Sequence, residues 1–211
     1  MVINTENIGI VIVNYNTPDL ILRLYYQIRL FLENISVIIV DGSDRRLVKR
    51  GNDIIKLNES MKEILMKDDF VIHEKFGYNI HHGPGMDFGI KNLEKDHILL
   101  LDSDAQVVKN PIVLFNKYYK ENYFCIGKCE FVNDRGCNVK NGIPYIHPSI
   151  MLINRKKYIE FNNPFIKHGA PCINFMKKVD KNELIDIEPK EIENYFIRGS
   201  KGTVSIFGYN L

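Results

Sequence analysis

Asp102 and Asp104 are the residues whose types and spacing best suit chemistry: two carboxylates separated by Ser103, at the end of the apolar run His97-Ile-Leu-Leu-Leu. Two carboxylates in a partly buried turn repel each other. A divalent cation such as Mg²⁺ or Mn²⁺ relieves that repulsion by taking hard oxygen ligands. The same residues also suit an Asp-rich turn without any ligand, because Asp is a good turn former.

These residues must be positioned by strands. Short apolar runs bounded by polar residues read as buried parallel strands, and open α/β sheets bind ligands at the carboxyl ends of such strands. Ile8-Gly-Ile-Val-Ile-Val13 is the first, followed by Asn14-Tyr15-Asn16 and then by a helix. Thr17 suits the N-cap and Pro18 the first helical position, while Leu20, Leu24, Ile28, Phe31 and Leu32 recur at helical spacing. Ser36-Val-Ile-Ile-Val40 is the second strand and ends at Asp41, which makes a βαβ crossover with a parallel pair.

After a charge-rich stretch from Arg45 to Lys67, Phe70 to His73 reads as a short third strand. The segment His81-His82-Gly83-Pro84-Gly85-Met86-Asp87-Phe88-Gly89 carries glycines that permit close backbone approach, and it opens a helix expected from about Pro84 to Leu93. That helix leads into the strand ending at Asp102. The strand ends at Asn14, Asp41 and Asp102 and the Gly-rich helix start are thus expected to converge on one crevice. Further on, Pro111 to Lys120 and Arg155 to Phe161 read as helices, Tyr123 to Phe131 as a strand, and Ile143 to Asn154 as extended. The fold class is α/β, with a mostly parallel central sheet, helices on both faces and a single domain over 1–211, since no repeat or linker interrupts the chain.

Composition narrows the function classes. With 211 residues, 45% hydrophobic and 26% charged, the chain can bury one core. A net charge of +2 gives no support for wholesale nucleic-acid binding. No transmembrane segment or secretory leader is legible, so a cytoplasmic protein is expected. The four cysteines, Cys125, Cys129, Cys137 and Cys172, lack CxxC spacing; reduced, packed thiols are expected, with a zinc site completed by histidine as the alternative.

Taken in order, Val11-Ile-Val-Asn14-Tyr15-Asn16, Val37-Ile-Ile-Val40-Asp41-Gly42-Ser43, Gly85 to Gly89 and Leu99-Leu-Leu-Asp102-Ser-Asp104 resemble the nucleotide-sugar half of a GT-A fold glycosyltransferase of the family 2 type. The resemblance implies a GT-A (Rossmann-like) fold, with a nucleotide-sugar-binding half over 1–110 and an acceptor and catalytic half over 111–211. It implies a nucleotide-sugar donor, a UDP-sugar foremost, a hydroxyl-bearing acceptor, and Mn²⁺ or Mg²⁺. Asn14, Tyr15, Asn16 and Asp41 would hold the nucleobase, with Tyr15 stacked on it. Asp102 would lie on the ribose side with Ser103 beside it, and Asp104 on the metal, so that the DxD motif Asp102-Ser103-Asp104 supplies the metal-binding carboxylates. Gly85 and Asp87 would face the donor, although Asp87 and Phe88 stand where family members often carry Asn before the last glycine.

Sugar transfer requires stabilisation of a departing diphosphate and, in an inverting enzyme, a base for the acceptor hydroxyl. The family's acidic pair after the segment resembling Met151 to Arg155 is absent, and His168-Gly-Ala-Pro-Cys172 stands at about that place. His168 is therefore the expected base, since imidazole has an unperturbed pKa near ~6.5. Arg198, in Arg198-Gly-Ser-Lys201-Gly-Thr203, could close over the diphosphate, His147 could face the acceptor, and His81 and His82 could touch phosphate or metal. Two other readings remain at this stage. One is a haloacid-dehalogenase-type phosphatase using Asp102 and Asp104; the other is a catalytically degenerate GT-A domain that binds a nucleotide sugar without turnover.

Overall fold

The computed structural model describes residues 2–43, 52–167 and 169–197. Its sheet has seven strands in the order β3-β2-β1-β4-β7-β6-β8. The strands are β1 (Ile8–Asn14), β2 (Ser36–Asp41), β3 (Val71–Lys75), β4 (His97–Asp102), β6 (Cys125–Val132), β7 (Ile143–Asn154) and β8 (Leu184–Asp186). β3, β2, β1 and β4 run parallel; β7 is antiparallel to β4 and to β6, and β8 is parallel to β6. A short antiparallel pair, β5 (Gln106–Val107) with β9 (Phe196–Ile197), lies outside this sheet.

The apolar runs form the central strands because both faces of the sheet are covered. Ile8, Ile10 and Ile12 of β1 belong to a core that includes Ile21, Leu24 and Ile28 of α1 (Pro18–Phe31) and Met61 and Leu65 of α2 (Asn52–Leu65). Val11, on the opposite face, packs with Met86 and Ile90 of α3 (His82–Asn92) and with Tyr158 of α5 (Arg155–Phe161). Each fully buried Ile or Leu contributes roughly 1.5–3 kcal/mol by leaving water. Period-2 alternation therefore assigns every strand residue to a face.

The same alternation orients the strand ends. Asn14 shares the face of Ile10 and Ile12, and Asp41 that of Ile39, so both turn towards α1 and α2. Asp102 shares the face of Ile98 and Leu100 and turns towards α3. Register then levels them: Asn14 is the Cα partner of Asp41, and Val13 that of Asp102.

Most expected elements are present with shifted bounds. The Gly-rich helix begins at His82, two residues earlier than its expected start at Pro84, and the helix after Asn110 ends at Tyr118. β8 and the β5–β9 pair have no counterpart in the sequence reading, since runs of two or three residues carry no readable period. The four cysteines are free; Cys125 and Cys172 are buried as expected, whereas Cys129 is half-buried and Cys137 is exposed. Among the described residues, no helix is long and apolar enough to cross a membrane.

Candidate active site

A cavity opens between the carboxyl ends of β1 and β4. It is lined by Val13, Asn14, Tyr15, Asn79, Ile80, His81, His82, Asp102 and Ser103. This is the topological switch point of the parallel strands, since β2 lies on one side of β1 and β4 on the other. The cavity is open to solvent and has a volume of about 190 Å³.

One wall is a buried hydrogen-bond network. Asn14 Nδ2 donates to Asp41 Oδ1 at 3.0 Å and to Ser43 Oγ at 3.3 Å, while Asn14 Oδ1 accepts from Thr17 Oγ1 at 2.8 Å and from Thr17 N at 3.2 Å. Ser43 N donates to Asp41 Oδ1 at 3.0 Å, and His73 Nε2 lies 3.2 Å from Asp41 Oδ2. Burial alone would raise the Asp41 pKa; hydrogen bonds from His73 and Ser43 outweigh it and hold the carboxyl below its ordinary value. The network continues across the crevice through Thr17 Oγ1 to Ser103 Oγ at 3.4 Å.

Tyr15 and Asn16 leave this wall as a tight loop. Asn16 adopts φ 57°, and its backbone N–H donates to Ser43 Oγ at 2.9 Å. Asn16 Oδ1 is buried with no hydrogen-bond partner. A buried carbonyl oxygen in that state is uncommon, and Asn16 does not line the cavity.

The opposite wall carries the expected carboxylates. Asp102 ends β4 and opens a turn closed by Ala105 N donating to Asp102 O at 3.0 Å. Its side chain is 27% exposed, and its Oδ1 lies 2.9 Å from His82 Nε2. Burial works against charge on His82, but the Asp102 carboxylate beside it and Asp104 farther off outweigh that and raise its pKa. Asp104 is buried and does not line the cavity, and its backbone oxygen accepts from Arg23 at 3.2 Å.

The sequence-derived candidates therefore separate. Asn14, Tyr15, Asp102 and Ser103 meet at one cavity, and His82 joins them. Asp41 does not line it: its side chain is 1% exposed, and both oxygens are engaged by protein groups, Asn14 among them. Gly85 is a packing residue, because a Cβ there would stand 3.0 Å from Val13 Cγ1, and its N–H donates to His81 O. Asp87 faces away from the cavity; Oδ1 accepts from Tyr158 at 2.7 Å and Oδ2 pairs with Lys91 at 2.8 Å. Thr17 stands at the N-cap, yet its hydroxyl binds Asn14 and makes no cap. His168 and Arg198 lie outside the described residues.

The sequence places His73 on the third strand but gives it no part in the site. A signal existed: on β3 it pairs with Ile39 and so shares the face of Asp41, two residues farther along β2. His147 Nδ1 accepts from Ser149 N at 3.2 Å. Among the described residues, no group of three or more His, Cys, Asp or Glu side chains is gathered to hold a metal.

No protein-family model and no curated relative matches the chain. Its fold is shared with solved glycosyltransferases. S. aureus TarS residues 1–349 with UDP-GlcNAc superposes with a TM-score of 0.62 at 14% identity, over 94% of this chain and 61% of that one. The mannosyltransferase PcManGT from Pyrobaculum calidifontis, with GDP-Man and Mn²⁺, gives 0.57 at 12% identity over 86% and 56%. GalNAc-T7 with UDP, GalNAc and Mn²⁺ gives 0.59 at 14% identity over 86% and 42%. The chain has the GT-A fold, with a mostly parallel seven-stranded sheet, and it spans less than two thirds of each of these proteins.

Proposed function

We propose that the chain is a metal-dependent glycosyltransferase that moves a sugar from a nucleoside-diphosphate sugar, a UDP-sugar foremost, to an acceptor hydroxyl. The observation that carries this reading is the cavity between β1 and β4 in a GT-A fold, with Tyr15 on one side and Asp102 with Ser103 on the other. Some of the proteins sharing the fold were solved with UDP-GlcNAc, with GDP-Man and Mn²⁺, or with UDP, GalNAc and Mn²⁺.

The residues at hand fit a divalent cation of the Mn²⁺ or Mg²⁺ kind. Such ions are commonly held by one or two carboxylates, with substrate phosphates and water completing the shell, so a cage of protein ligands is not required. Asp102, partly exposed at the cavity, and Asp104 in the same turn are the carboxylates that would hold it. When bound, the ion supplies Lewis-acid stabilisation to the departing diphosphate. Tyr15 offers its ring to the nucleobase, and Asn16 beside it, whose Oδ1 is buried without a partner, completes that loop. Asn14, held by Asp41, Ser43 and Thr17, keeps that loop in place. His168 as the base for the acceptor hydroxyl and Arg198 as a cation over the diphosphate complete the proposal from the sequence.

Thermal shift and donor hydrolysis with UDP-GlcNAc and GDP-mannose, each with and without Mn²⁺, test it, because a ligand that binds only the folded state raises its melting temperature. Mn²⁺-dependent stabilisation with release of UDP or GDP supports a transferase. Stabilisation without release, even with added hydroxyl acceptors, would support the degenerate binding domain, which the missing acidic pair after Arg155 favours. No response to either donor would remove the reading. A haloacid-dehalogenase-type phosphatase has no support from the fold.

A further inference from the structure

His82 lines the cavity beside Asp102. It is the first residue of α3, and its Nε2 lies 2.9 Å from Asp102 Oδ1. The backbone delivering it is unusual: His81 adopts φ 65°, a conformation uncommon outside glycine, and its N–H donates to Asn79 Oδ1 at 2.9 Å.

The helix start is fixed on two sides. A Cβ on Gly83 would overlap the Ile166 carbonyl oxygen and stand 2.9 Å from Pro171 Cβ, while Gly85 packs on Val13 of β1. Ile166 N donates to Pro171 O at 3.0 Å, which closes the segment lying against that turn. The backbone that carries His82 is thus held by packing, and a carboxylate ion-paired at 2.9 Å to an imidazole on that backbone is restrained about its own Cβ–Cγ bond.

We propose that His82 is the positioning residue for Asp102: it sets the orientation in which the carboxylate meets a divalent cation. This rests on the reading of Asp102 as a cation ligand given above. Ligating carboxylates are themselves commonly hydrogen-bonded, and removing such a partner weakens metal affinity by roughly 10- to 100-fold.

The probe is Mn²⁺ alone, without nucleotide, followed by paramagnetic broadening of the Ser103 amide signal. His82→Ala should need roughly 10- to 100-fold more Mn²⁺ for the same broadening. His82→Gln, whose amide can donate at a similar reach, should restore most of the affinity and also controls for folding. In a double-mutant cycle, His82→Ala should add nothing to Asp102→Asn, because one effect passes through the other. Unchanged or tighter Mn²⁺ binding by His82→Ala, losses that add in the double variant, or a wild type that binds no Mn²⁺ each overturn the proposal. Donor hydrolysis is scored separately: turnover of a UDP-sugar with no dependence of Mn²⁺ binding on His82 sinks this inference alone. His82-dependent Mn²⁺ binding without donor binding sinks only the transferase reading.

Discussion

Asn14 Nδ2 and Asp41 Oδ1 lie 3.0 Å apart across the ends of β1 and β2, both side chains fully buried. This bond turns the polar ends of two apolar strands into one rigid wall. Asp41 orients Asn14, and Asn14 in turn holds Thr17, whose hydroxyl reaches Ser103 on the opposite side of the crevice. The carboxylate expected at the nucleobase is bonded to the loop that lines the cavity.

Asp41→Ala should therefore act first on stability. It strips acceptors from Asn14, Ser43 and His73, and unfolding in urea should show a loss of about 2–4 kcal/mol, since each buried donor left unsatisfied is costly. Asp41→Asn should lose less. The depressed carboxyl pKa stabilises the fold above the unfolded carboxylate range, and that contribution should disappear as pH falls through the folded value. A fully stable variant with selectively weakened nucleotide binding would return Asp41 to direct contact.

Asp104→Ala should abolish the Mn²⁺-dependent part of UDP binding. One hard oxygen ligand would be lost from a site that has few. Calorimetry with UDP and Mn²⁺ measures it, and equal affinity in variant and wild type would exclude Asp104 from the cation.

Gly83→Ala should destabilise the junction between α3 and the segment around Ile166 by about 1–3 kcal/mol, the usual cost of overpacking. Because α3 carries His82, donor affinity should fall with it. A variant as stable as wild type would mean that the helix start is free to move.

Asp68 ties α1 to the start of β3. Its Oδ2 accepts from Arg29 Nε at 2.5 Å and from Tyr25 at 2.9 Å, and its Oδ1 from Phe70 N at 2.9 Å. Burial would raise its pKa, but the bonds from Arg29, Phe70 and Tyr25 prevail and lower it. The stabilisation is present above the unfolded carboxylate value and lost as pH falls through the folded one. Asp68→Asn should cost about 1–3 kcal/mol at neutral pH and flatten the acid limb of the stability profile. Identical acid limbs would contradict this.

His168→Ala should leave donor and Mn²⁺ affinity intact while lowering sugar transfer by roughly 10²- to 10⁴-fold, the usual yield of a general base. Single-turnover transfer reads this out, with the anomeric configuration of the product. Retention of configuration, or a near wild-type rate, would remove the base assignment.

The apolar runs by themselves determined the central strands, because a strand buried on both faces tolerates little else, and the alternation within them determined which way Asn14, Asp41 and Asp102 face. Their order along the chain was enough to point to the GT-A fold and to the carboxyl ends of β1 and β4. Partners were decided only by tertiary structure. Asp41 and Asp102 look alike in sequence, each an aspartate closing an apolar strand, yet one is sealed by His73, Asn14 and Ser43 while the other stays partly exposed beside His82. Asp87 and Gly85, candidates through the family resemblance of the Gly85 to Gly89 segment, meet Tyr158 and Val13. Periodicity reports the face a side chain occupies. Which groups wait there depends on how distant elements pack, and that follows from the whole core.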